Sequence, residues 1–79
     1  MNWQDHIIID NDVLVGKPTI KGTRLSVEFI LGLLASGWTQ EQLFENYPNL
    51  TKGALSSLFA FSFECMKEES FYIISKSAA

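Results

Sequence analysis

A chain of 79 residues allows one small domain, burying only about 60% of the surface its unfolded form exposes. Hydrophobic residues at 47% and charged residues at 19% describe a chain that folds rather than a disordered one. The net charge of −3 argues against a nucleic-acid binder of the strongly basic kind. One cysteine and one histidine supply neither a disulfide framework nor a four-ligand zinc site. No apolar run approaches the roughly 18 residues that span a bilayer, so no membrane association is expected. The opening MNWQDHIIID is polar and acidic, unlike a secretory or transit segment. These features predict a small cytoplasmic binding module that is not an enzyme, with no cofactor, no metal and no catalytic residues.

The first 25 residues read as strands and turns. Ile7–Ile9 is a β-branched run stopped by Asp10-Asn11-Asp12, and Val13-Leu14-Val15 reads as a further extended run. Thr19-Ile20 precedes Lys21-Gly22, across which Arg24-Leu25 is placed to pair back. Gly16 and Gly22 read as turn residues of positive φ. Gly16-Lys17 is followed by a proline and opens no helix, so it is not a P-loop. Residues 13–27 hold Lys17, Lys21 and Arg24 and no acid, one basic patch in an otherwise acidic chain.

Helices begin at Ser26, an N-cap, with Glu28 in the first turn where the helix dipole favours it. Val27, Ile30, Leu31 and Leu34 form a core-facing stripe, while Phe29 and Leu33 lie on the opposite flank. Gly37 marks the stop. Thr39 and Gln42 have capping-box spacing, with Trp38 placed to staple onto Leu43. The short helix ends before Tyr47-Pro48, and Thr51 caps a last helix over about 52–68. Short helix, tight turn and longer helix give helix-turn-helix spacing over about 39–68.

The last helix is apolar over roughly 200° of its circumference, where a surface helix needs about 100°. Leu55, Leu58, Phe59, Ser62 and Met66 form its central stripe, widened by Ala54, Phe61 and Cys65 on one side and Phe63 on the other. So wide an arc predicts a second cover from another polypeptide. The segment 70–79, with Phe71, Tyr72, Ile73 and Ile74, reads as a C-terminal arm, either a strand that pairs within a dimer or adds to a partner's sheet edge, or a disordered tail tip.

The string GKPTIKGTR from Gly16 to Arg24, after IIIDNDVLV and before LSVEFILGLLASGWTQEQLFENYPNLT, resembles the small bacterial family DUF433. The likeness runs from about Ile7 to Phe63. Its members look like VapB-type antitoxins with a homeodomain-like or winged helix-turn-helix, often encoded beside a PIN-like nuclease of the Mut7-C type. The resemblance implies a bacterial toxin–antitoxin system in which this chain sequesters a cognate nuclease toxin, with autoregulation of its operon by DNA binding as a further activity. Two departures stand out. Gly53-Ala54 occupies the first turn of the last helix, and Phe59, Phe61 and Phe63 stand where the family carries small residues.

The expected fold is α+β and mainly α. One domain over 1–79 comprises a β element (1–25), three helices (26–69) and the arm. A homodimer is expected. Candidate DNA contacts are Lys17, Lys21, Arg24, Thr51, Lys52 and Ser56; candidate partner or dimer contacts are Phe29, Leu33, Phe61, Phe63, Phe71, Tyr72, Ile73 and Ile74. Bland readings stand beside these. Arg24 also suits an ion pair with Asp10 or Asp12, and the lysines suit solvated positions. His6 reads as a solvated surface residue and Cys65 as a buried thiol. Asp5, Asp10 and Asp12 lack calcium-loop spacing. Two other classes stay open: a helix-turn-helix regulator without a toxin, and a purely structural dimerisation module.

Overall fold

The computed structural model describes residues 2–78, with side chains described through residue 67. Two short strands and three helices follow in order: β1 (Ile7–Ile8), β2 (Thr19–Ile20), α1 (Val27–Ala35), α2 (Gln40–Asn46) and α3 (Lys52–Ala78). The fold is α+β with a small β part, as the sequence predicts. β1 and β2 pair antiparallel, Ile7 opposite Ile20 and Ile8 opposite Thr19. The Arg24-Leu25 segment does fold back, since the Ile20 N–H donates to the Leu25 carbonyl at 2.9 Å. Thr23 closes that turn by donating its hydroxyl to the Ile20 carbonyl and accepting from the Leu25 N–H.

Val13-Leu14-Val15 is not a strand. The Asp10 carbonyl accepts from both the Val13 and Gly16 N–H groups, which winds the segment into a tight left-handed turn. Leu14 and Val15 sit at φ 51° and 56°, followed by Gly16 at φ 80°. A β-carbon on Gly16 would lie 2.8 Å from Asn11 Oδ1 and force that side chain aside, and φ 80° favours glycine there. Val15 is 91% exposed at its tip, and a β-branched residue in the left-handed region is strained. Val15→Gly is therefore expected to raise stability by about 1 kcal/mol, read as a higher urea midpoint with an unchanged slope.

Local signals set the helix ends. Ser26 Oγ accepts from the Phe29 N–H at 2.9 Å, and Gly37, at φ 103°, follows the end of α1. Thr39 and Gln42 form both bonds of the capping box. Thr51 Oγ1 accepts from the Ala54 N–H at 3.0 Å. Ser26→Ala is expected to cost about 1 kcal/mol in a thermal melt, because the cap bond goes while the backbone stays.

Ile7, Ile20, Val27, Ile30, Leu43, Leu50, Ala54, Leu55 and Leu58 form the core. α3 enters it with one flank only. Phe59, Phe63 and Met66 stay exposed, so this part of the wide apolar arc is not covered by the chain's own core. Cys65 is exposed as well, contrary to its reading as a buried thiol. α3 continues through Ala78, well past residue 68, so the backbone of 70–78 is helical and not a strand-forming arm. The side chains of Phe71, Tyr72, Ile73 and Ile74 lie outside the described residues.

The amino terminus straps α3. Trp3 packs edge-on to Phe61 with ring centroids 4.7 Å apart, and its Nε1–H donates to Glu64 Oε2 at 2.6 Å. His6 is not a solvated residue. Its Nδ1 lies 2.8 Å from the buried Ser57 Oγ, and its ring covers the spot a Gly53 side chain would fill, 3.3 Å from Nε2. The glycine in the first turn of α3 is thus explained by close approach of His6. Every buried side-chain polar atom among the described residues has a partner, which buried polar groups need to avoid a net cost.

Candidate functional site

α1 presents its polar side to solvent, yet Phe29 stands there at 45% exposure. Its ring meets Tyr47 edge-on at 6.0 Å, with an interplanar angle of 84°. Trp38 stacks on the other side of this group, 6.4 Å from Tyr47 at 27°. The cluster follows from local structure: Ser26 starts α1 so that Phe29 faces away from Ile30, while Trp38 and Tyr47 bracket α2.

Two clefts border this aromatic group. One, of about 430 Å³, is lined by Lys17, Ser26, Glu28, Phe29, Gly32, Leu33 and Ser36. The other, of about 230 Å³, brings Arg24 and Thr23 against Asn46, Tyr47 and Pro48. The structure therefore assembles Lys17, Phe29 and Leu33 around one cleft, with Arg24 beside the neighbouring ring. Lys17 reaches Glu28 at 3.4 Å, the only ion pair among the described residues. Both partners are well exposed, so the pair contributes little to stability. Arg24 makes no ion pair with Asp10 or Asp12 among the described residues and is exposed. Sequence reasoning misses Trp38 and Tyr47 as contacts; their signal is that both flank a cap or a proline at the ends of α2.

The helix-turn-helix side is different. Gln40, Phe44, Lys52, Leu55, Ser56 and Phe59 line a cleft of about 200 Å³ between α2 and the start of α3. Lys52 and Ser56 are exposed there, but Thr51 spends its hydroxyl capping α3. Neither Lys17, Lys21 nor Arg24 lines that cleft. Phe61 is half-buried and, with Leu31, Cys65 and Met66, lines a separate groove between α1 and α3. No group of three or more His, Cys, Asp or Glu suited to a metal occurs among the described residues, and no helix among them is long and apolar enough to cross a membrane.

A two-stranded antiparallel β element leading into three helices defines a small, mainly α member of the α+β class. Within it, the family described as Protein of unknown function (DUF433) matches residues 7–62. The chain belongs to that family. The match spans both strands, all the turns between them, α1, α2 and the core-facing part of α3. No curated protein and no solved structure matches the chain.

Proposed function

We propose that this chain is an antitoxin-like binding module that sequesters a cognate PIN-like nuclease of the Mut7-C type. One observation carries the reading: Phe29, Tyr47 and Trp38 form an aromatic surface whose bordering clefts hold Lys17 and Arg24. Aromatic and arginine side chains are the residue types that dominate binding energy at protein interfaces. Nucleases that work through metal-bound carboxylates have acidic active sites, and a cation beside an aromatic anchor suits such a surface. Inhibition would come from occupying the nuclease, since the module itself supplies no reaction.

DNA binding stands behind this reading. The start of α3 offers a single cation, Lys52, where sequence readers present several Arg, Lys, Asn or Gln side chains. Operator binding through Lys52, Ser56 and the Lys17–Arg24 loop would be weak and strongly salt-dependent.

The test is co-expression with the neighbouring open reading frame, then size-exclusion chromatography with light scattering. A stable complex containing a nuclease, formed by the wild type and lost on joint Phe29→Ala and Arg24→Ala substitution, is the expected result. A nuclease complex that survives both substitutions would move the docking surface elsewhere. Failure of a co-encoded nuclease to bind the wild type would remove the antitoxin reading.

A further inference from the structure

The loop between β1 and β2 holds a conformation that folding alone does not explain. Leu14 and Val15 stand in the left-handed region at φ 51° and 56°, which side chains avoid and β-branched ones most of all. Val15 is 91% exposed, more than any other large hydrophobic residue described, and neither residue is part of the core cluster. A single exposed valine is ordinary by itself. A strained backbone that holds it out in water is not, because strain persists only where surrounding bonds impose it.

Those bonds close on one another. The Asp10 carbonyl accepts from the Val13 and Gly16 N–H groups at 2.9 and 3.2 Å, and the Val13 carbonyl accepts from Gly16 at 3.2 Å. The Leu14 carbonyl accepts from the Lys17 N–H at 3.2 Å. Asp10 Oδ1 accepts from the Asp12 N–H at 2.9 Å, so this carboxylate too is engaged in holding the turn. β1 enters the loop and β2 leaves it, which ties both ends to the sheet. The tip thus has its shape before any partner arrives, and docking it costs little further ordering.

We infer that Val15 is an apolar anchor that seats in a small pocket on the nuclease, an inference that rests on the sequestration reading above. The loop is continuous with the aromatic surface. Lys17 lies two residues on, within about 7 Å along the chain. Its ammonium reaches Glu28 beside the cleft that Phe29 and Leu33 line. A partner covering about 800 Å², a patch roughly 30 Å across, takes in both. The matching nuclease surface pairs an apolar pocket for the isopropyl group with carboxylates for Lys17 and Arg24. Such a tip suits a protein pocket better than a phosphate backbone, which is met by charged and polar groups. Burial of the isopropyl group in the complex offsets the strain, which nothing in the free chain does.

Calorimetric titration of the purified nuclease with the full chain, wild type or substituted at position 15, tests the anchor. Val15→Thr keeps the shape and the β-branch, so its urea midpoint should match the wild type. Its affinity should fall at least about fivefold, because the added hydroxyl opposes burial. Val15→Gly should fold more stably than the wild type, yet bind at least about tenfold more weakly through loss of the whole side chain. A gain in folding stability beside a loss in binding cannot come from a damaged fold. Equal affinity of the wild type and both variants would overturn the anchor while leaving sequestration in place. Loss with Val15→Gly alone would overturn it too, since loop rigidity and not the isopropyl group would then carry the affinity. A Val15→Gly chain no more stable than the wild type would overturn the claim that the tip is held under strain. No binding by the wild type would remove the sequestration reading and the anchor together.

Discussion

Replacing Leu58 with alanine is expected to cost about 3 kcal/mol, within the 2–5 kcal/mol range for large-to-small core changes. Leu58 has no exposed surface and belongs to the core cluster that also holds Ile7, Ile20, Ile30 and Leu43. Collapse around the lost atoms is limited, because Ile7 is tied to β2 on one side and Leu55 belongs to the same helix on the other. A domain below about 80 residues rarely holds more than 3–5 kcal/mol in total, so this one change removes most of the stability. Urea titration should show the midpoint falling toward zero, with a large unfolded fraction in buffer at physiological temperature. Phe63→Ala on the same helix should leave the midpoint of the dilute chain almost unmoved. The contrast separates the two sides of α3, which the periodicity alone presents as one broad arc.

Phe29→Ala is expected to weaken nuclease binding about a hundredfold, the loss typical of a buried aromatic anchor worth roughly 2–3 kcal/mol. In the chain alone, Phe29 touches Tyr47 by ring edge and leaves nearly half its surface to water. Its removal should therefore cost little folding stability, which distinguishes a binding role from a structural one. Leu33→Ala, at the other end of the same cleft, should weaken binding less, because leucine is rarely an anchor at protein interfaces. Calorimetric titration of the purified partner measures both, with the melting temperature as control.

Short-range features are legible in the sequence because they are decided within three or four residues. The Ser26 cap, the Thr39–Gln42 box and the Thr51 cap each join a side chain to a backbone N–H one turn on. The β-branched stretches Ile7–Ile8 and Thr19–Ile20 both read as strands. Their pairing with each other is not legible, since the local turn only suggests Arg24-Leu25 as the partner of Thr19-Ile20. Features that depend on distant partners are not legible. Ser57 reads as part of the polar side of α3, yet it is buried because His6, 51 residues away, meets its hydroxyl. Val13–Val15 has strand composition, but carbonyl capture by Asp10 turns it into a left-handed loop. The candidate site is legible in its parts, Lys17, Arg24, Phe29 and Leu33. Its assembly is not, since Tyr47 and Trp38 join those parts only once α2 has folded across the end of α1.

Sequestration is tested most closely by RNA cleavage with the purified nuclease from the neighbouring gene, titrated with this chain. Stoichiometric loss of cleavage with the wild type, and recovery of cleavage when Phe29→Ala and Arg24→Ala are combined, is the expected result. Undiminished cleavage in the presence of excess folded wild-type chain would rule sequestration out.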